Sequence, residues 1–235
     1  MLQSLSIVTI TFNNSEDLIN TYKSLEPFRN AGGTHIIVNG GTTIKHLIKN
    51  DCILLEEPDR GIYDALNKGI VLVRTPFLMF IHSGDFFVAT LNVLHEQLVT
   101  INKHQLDILL NNCTIEFGRK KRLMSSKNWR PWMFKFGAQP PHPPIIYRKK
   151  ALTLFKYDLK HPVIGDFKYL EELFLSNIRW NQGNELLIHM SAGGATSSGT
   201  RSFFYVNKQF KKLKGPYKAI WFALTRPIIK VYQMI

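Results

Sequence analysis

Cysteine is nearly missing from this 235-residue chain: Cys52 and Cys113 are the only two, and neither stands in a CxxC pair. That excludes a disulfide framework and a cysteine zinc site, and it fits a reducing cytoplasm. No apolar run reaches about 18 residues, so no membrane-spanning helix is expected. No basic stretch followed by an apolar one opens the chain, and residues 5–12 read as a first strand, not a signal peptide. Acids are scarce in one half only. Residues 1–118 hold 8 Lys and Arg against 12 Asp and Glu, whereas residues 119–235 hold 22 against 5. The net charge of +13 therefore comes from the second half. Such a surface calls for an anionic partner: phosphate, nucleic acid or anionic lipid. Repeats and low-complexity tracts are also lacking.

An apolar share of 45% supports a real core, and the length fits one α/β domain with a C-terminal extension. After the first strand, Asn13-Asn14-Ser15 breaks the pattern, and Ser15 can cap a helix that keeps Leu18, Ile19, Tyr22 and Leu25 in register. Residues 34–38 read as a second strand, ended by Asn39-Gly40-Gly41. A helix through Ile44, Leu47 and Ile48 and a third strand at 52–55 follow. This alternation argues for a parallel sheet with crossover helices. Residues 77–81, FLMFI, read as a strand buried on both faces. It ends at His82-Ser83-Gly84-Asp85. Ligands collect at the carboxyl ends of strands in open α/β sheets. A carboxylate there can hold Mg²⁺ or Mn²⁺ against a diphosphate; Asp85 equally suits a turn or a helix cap.

Beyond residue 118 the chain changes character. Arg119-Lys120-Lys121-Arg122 reads as a solvated hairpin tip. Gln139-Pro140-Pro141-His142-Pro143-Pro144 excludes a helix interior. Gly165-Asp166 precedes a helix at 167–175, and 186–189 is a last strand. Residues 203–235 contain Lys208, Lys211, Lys212, Lys214, Lys218, Arg226 and Lys230 and no acid, interleaved with aromatic and aliphatic residues. That mixture suits an interfacial segment on anionic lipid, or a helical extension packed on the domain.

Six of these stretches form an ordered set: SIVTITFNN, EPDRGIYDALNKGI, SGDFF, PHPPIIYRKK, GDFKYLEEL and AGGATS. Over about residues 4–200 the chain resembles bacterial family 2 glycosyltransferases, most of all the short members that build colanic acid, O-antigen and capsule. The second stretch matches that family's E-P-D-x-G-I-Y-D-A-M-N-K-G nearly residue for residue. The resemblance implies an α/β GT-A (Rossmann-like) fold, its mostly parallel sheet flanked by helices, over residues 1–202, with a basic helical extension over 203–235. It implies metal-assisted, inverting transfer of a sugar from a UDP- or dTDP-sugar to a hydroxyl of a glycan or polyprenyl-diphosphate-linked acceptor. The protein would be cytoplasmic and peripheral on the inner membrane face.

By the same resemblance Asp85 binds Mg²⁺ or Mn²⁺, and Ser83 stands where a fuller motif has a second carboxylate. Thr11, Asn13 and Asn39 line the base pocket. Asn39 replaces the family's Asp but can still pair with uracil or thymine, or serve the turn before Gly40-Gly41. Ile44 replaces a later Asp. Asp59, Arg60, Asp64 and Asn67 line the next loop, where Arg60 can meet a phosphate and Asp64 and Asn67 can instead organise the loop. Asp166 is the candidate general base, or an N-cap. His142 approaches a sugar, or only stiffens its proline-rich loop. His189 is a possible metal ligand, or structural. Rival readings are a donor-binding member without catalysis, a nucleotidyltransferase, whose glycine-rich activation loop is missing, and a nucleic-acid-binding protein, for which no RRM, KH or helix-turn-helix signature is present.

Overall fold

Alternation along the central strands decides which helices they meet. The computed structural model describes residues 1–117, 120–191 and 199–232. In it β1 (Leu5–Thr11) and β4 (Phe77–His82) are parallel neighbours. Leu5, Ile7, Phe77, Met79 and Ile81 join an apolar cluster with α4 (Leu91–Lys103). Val8, Ile10, Leu78 and Phe80 join a larger one with α3 (Ile62–Leu72). A period of two with both sides apolar is what a central strand between helices needs. The run at 77–81 is buried throughout, as its composition predicts.

β2 (Thr34–Asn39) and β3 (Ile53–Glu56) extend the sheet in parallel from β1. Across β4 come β8 (Ile146–Arg148), antiparallel, then β6 (Ile108–Phe117) and β9 (Trp180–Met190), parallel to each other. β5 (Phe86–Phe87) closes that edge against β9, and β7 (Lys120–Met124) pairs with β6. The order is β3-β2-β1-β4-β8-β6-β9-β5. Only β5, β7 and β8 run against the rest, so the sheet is mostly parallel.

Three local expectations shift. Residues 44–48 form only a 3-10 turn at Lys45–Leu47, because the β-branched Thr42, Thr43 and Ile44 before it are tied down, Thr43 and Ile44 by Glu56 and Thr42 by Asn13 and Asn39. Asn14, not Ser15, caps α1 (Ser15–Ser24), accepting from the Asp17 amide; the other short helices are α2 (Glu26–Asn30) and α5 (Lys149–Leu152). Residues 106–110 and 113–117 read from the sequence as two further strands, and the structure joins them in one, β6 (Ile108–Phe117). The extension folds as α7 (Gly199–Lys214) and α8 (Pro216–Tyr232). Val206, Phe210, Ala219 and Phe222 enter the larger core cluster beside Phe167 and Tyr169 of α6 (Gly165–Leu175). The extension therefore packs on the domain with one face and leaves another exposed. Arg119 and the AGGATS stretch lie outside the described residues.

Candidate active site

A cavity of about 440 Å³ opens at the carboxyl ends of β1 and β4, where Thr11, Asn14, Asp59, Gly61, His82 and Ser83 are among the lining residues. Two polar atoms here have no partner: Thr11 Oγ1 and His82 Nδ1 are both shielded from water and unbonded. Buried polar atoms are nearly always satisfied, so a pair of orphans in one cavity marks a place for a polar ligand. Burial pushes the His82 pKa down to about 4, so its ring is neutral at pH 7.

Asp85 sits on the turn that follows. Gly84 has φ +95°, which favours glycine. Thr21 of α1 clamps the turn: its hydroxyl donates to the Asp85 carbonyl at 2.8 Å and accepts from the Gly84 amide at 2.9 Å. The Asp85 carboxylate is 6% exposed. Its Oδ2 accepts from the His82 amide at 3.3 Å, the Ser191 backbone also hydrogen-bonds the carboxylate, and among the described residues it makes no ion pair. Burial pushes its pKa up to about 7, and the Asp17 charge adds to the rise. A buried carboxylate that lacks a counter-charge fits a cation. No cluster of three potential ligands surrounds it among the described residues, so a divalent ion here would take most of its coordination from a substrate. His189 does not offer itself. Its Nδ1 bonds with Thr114 Oγ1 at 2.9 Å and its Nε2 with Glu116 at 3.3 Å.

Asp166 stands in the first turn of α6 and is not its N-cap, which is Ile164. Its Oδ1 accepts from the Tyr63 hydroxyl at 3.2 Å and from the Phe167 amide at 2.8 Å; its Oδ2 accepts from Gln139 Nε2 at 2.5 Å. Gly165 makes this possible, since a Cβ there would lie 2.6 Å from the Tyr63 ring. The absence of a second acid before Asp166 thus has a steric reason. Tyr63 stacks on Tyr157 and Tyr157 on Tyr169. His142 is buried between Phe80 and Tyr157, sharing a 2.6 Å hydrogen bond with the Tyr157 hydroxyl. Burial pushes its pKa down to about 4. It lies parallel to His82, ring centroids 6.4 Å apart, which links the cavity to the tyrosine stack.

The remaining expected residues divide. Thr11, Asp59 and Ser83 line the cavity. Asn13, at φ 50°, turns its Oδ1 to the Thr42 amide. Asn39 spends both amide hydrogens, on the Thr42 carbonyl and Glu56, and its Oδ1 accepts from Gly41. Turn chemistry claims most of it. Ile44 anchors that loop in an apolar cluster with Leu18, Tyr22 and Ile37. Asp64 binds the Arg60 amide at 3.0 Å, and that bond with the nearby guanidinium holds its carboxyl below the usual range. Asn67 bridges the backbone N–H and C=O of Tyr157. Both organise loops. Arg60 is exposed, 3.4 Å from Asp64. Sequence reasoning missed His82, Gln139, Glu56 and the role of Tyr63; only Tyr63 carried a signal, inside the GIYDA stretch.

No family model matches the chain. An uncharacterized glycosyltransferase of Mycobacterium tuberculosis is 35% identical over 91 residues, covering 36% of this chain and 35% of the relative. The match thus spans about a third of that protein. A PGL/p-HBAD biosynthesis glycosyltransferase of Mycobacterium bovis is 24% identical over 190 residues, 75% of this chain and 70% of the relative. Among solved structures, S. aureus TarS 1-349 in complex with UDP is similar at TM-score 0.64 and 15% identity, over 93% of this chain and 69% of that one. The mannosyltransferase PcManGT from Pyrobaculum calidifontis, in complex with GDP-Man and Mn²⁺, gives TM-score 0.64 at 11% identity, over 98% and 72%. The chain has the Rossmann-like fold of these glycosyltransferases, and its sequence relatives carry that name.

Proposed function

We propose that this chain is a family 2 glycosyltransferase that moves a hexosyl group, with inversion, from a UDP- or dTDP-sugar to a hydroxyl of a glycan or lipid-linked acceptor in surface polysaccharide assembly. The observation that carries the reading is the buried carboxylate of Asp85, without an ion pair among the described residues, on the turn beside a cavity lined by two residues with orphaned polar atoms. Asp85 would hold Mg²⁺ or Mn²⁺, which neutralises charge on the departing nucleoside diphosphate. Thr11 and the remaining lone pair of Asn39 meet the base, and Arg60 turns from Asp64 to a phosphate. The acceptor hydroxyl attacks the anomeric carbon opposite the nucleotide. Its proton passes to Asp166, the bond to the diphosphate oxygen breaks, and the configuration inverts. Tyr63 and Gln139 hold Asp166 for that step.

The outer stripe of α8 would rest on an anionic membrane surface. Tyr217 is 88% exposed and Ile220, Leu224 and Ile228 are exposed beside Lys218. No helix among the described residues is long and apolar enough to cross a membrane. Replacing Tyr217, Leu224 and Ile228 together by serine should reduce flotation with anionic vesicles.

A thermal-shift panel of UDP-, dTDP- and GDP-sugars with Mn²⁺ tests the main reading. A ligand at about 100 times its Kd stabilises by roughly 2.7 kcal/mol, and the UDP or dTDP forms should give the largest shift. No shift from any of them, with or without metal, would remove the proposal.

A further inference from the structure

The inner stripe of α8 contains one residue out of keeping with its neighbours. Ala219, Phe222 and Ile229 follow helical spacing and turn toward the domain core. Arg226 falls on the same stripe. Its guanidinium lies over the Phe210 ring, 5.5 Å from the centroid. Its Nε is shielded from water and donates to nothing, and among the described residues it makes no ion pair. A cation in that position is costly without an anion. Burial pushes its pKa down, and the field of the Asp166 carboxylate pulls it partly back. The Phe210 ring under the guanidinium meets edge-on the ring of Phe167, the residue after Asp166, with centroids 5.0 Å apart, so Arg226 stands on the Asp166 side of the domain.

The donor diphosphate is not the natural occupant. Its place is beside Asp85, whose surroundings involve Asp17, His82 and Ser191 and not Arg226. Arg226 stands on the Asp166 side, where the accepting hydroxyl must lie. Its planar fork matches phosphate oxygens. The helix that carries it exposes an apolar stripe, and Lys208, Lys211 and Lys212 are exposed on α7. That surface suits an amphiphile. We propose that Arg226 forms an anion subsite, beside Asp166, for a phosphate or diphosphate group carried on an amphiphilic acceptor. The word acceptor rests on the transferase reading; the anion site does not.

The test is isothermal titration of the full chain in metal-free buffer with farnesyl phosphate, farnesol and inorganic phosphate, and separately with UDP and Mn²⁺. Wild type should bind farnesyl phosphate more tightly than farnesol. Arg226→Met should weaken farnesyl phosphate by about tenfold or more and leave farnesol and UDP–Mn²⁺ unchanged, with Arg226→Lys between. Inorganic phosphate binding that Arg226→Met abolishes would show a site that reads the phosphate itself. Equal farnesyl phosphate affinity in wild type and Arg226→Met overturns the proposal. So does a matching loss of UDP–Mn²⁺ binding, which would assign the guanidinium to the donor. Wild type that binds farnesyl phosphate no better than farnesol also overturns it, and that comparison needs no variant to fold. If UDP–Mn²⁺ fails to bind wild type, the donor reading falls, while a phosphate affinity lost in Arg226→Met still supports the anion site.

Discussion

Asp85 and Asp166 are the two aspartates on which the proposed function rests, yet their surroundings are opposite. Asp85 is almost fully buried, has backbone amides as its polar contacts, and feels the like charge of Asp17. Asp166 is half-buried and accepts from a tyrosine, a glutamine and the first turn of its own helix. The first arrangement penalises the bare charge, which either a proton or a bound cation can settle. The second orients a carboxylate with neutral hydrogen-bond donors. Under the function proposed above, one side-chain type would serve as a metal ligand at Asp85 and as a base at Asp166, by what the chain places around each.

Substitution of Asp166 should have the largest effect. Asp166→Asn keeps an oxygen for Tyr63 and the Phe167 amide but cannot take a proton. Turnover should fall by about 10³-fold, with the titrated affinity for the UDP-sugar unchanged. If donor affinity fell in proportion, Asp166 would be a donor ligand and the division of labour would fail.

Asp85→Asn should lower metal-dependent turnover by about 10²-fold and weaken Mn²⁺-dependent nucleotide binding with it. It should also change stability in a pH-dependent way. The Asp85 pKa is raised from 3.8 to about 7 in the fold. The protonated form therefore supports the fold fully below the unfolded pKa, and that support is lost as pH rises through about 7. The loss amounts to about 4 kcal/mol at most. Buried His35 and His142 act in the other direction. Their pKa values fall from 6.5 to about 3 and about 4, so stability drops below about pH 6.5 as the unfolded chain takes up protons. Melts of wild type and Asp85→Asn in EDTA from about pH 5 to 9 subtract the histidines. The variant should gain on wild type as pH rises; a constant difference would mean that Asp85 carries no uncompensated charge.

The two halves of this contrast were not equally legible. The apolar run at 77–81 announced a buried strand, and its abrupt end at Gly84-Asp85 announced a turn, because burial on both faces and a tight turn each leave a local mark. Asp166 was placed by resemblance, since an Asp at a helix start looks like a cap. The partners that distinguish the two were invisible. Tyr63 lies 103 residues from Asp166 and Gln139 lies 27 away, and no periodicity reports which side chains a fold brings together. Asn39 shows the same difficulty. Its amide chemistry suggested base recognition, but Glu56, 17 residues on, takes one of its hydrogens. Arg226 read as one more charge of a basic tail, although the helix turns it inward.

The smallest expected effect isolates the tyrosine. Tyr63→Phe keeps the stack on Tyr157 and removes the hydroxyl that reaches Asp166. A hydrogen bond to a charged group is worth about 1.5–3 kcal/mol, so turnover should fall by roughly tenfold while donor affinity and the melting temperature change little. Gly165→Ala should act in the same direction through the ring itself, because its Cβ would meet Tyr63 at 2.6 Å, and it should lower stability as well. The pair separates position from packing. If Tyr63→Phe kept full turnover while Gly165→Ala did not, α6 and Gln139 would orient Asp166 without the tyrosine. The difference between the two aspartates would then rest on burial and on the Gln139 and Phe167 donors.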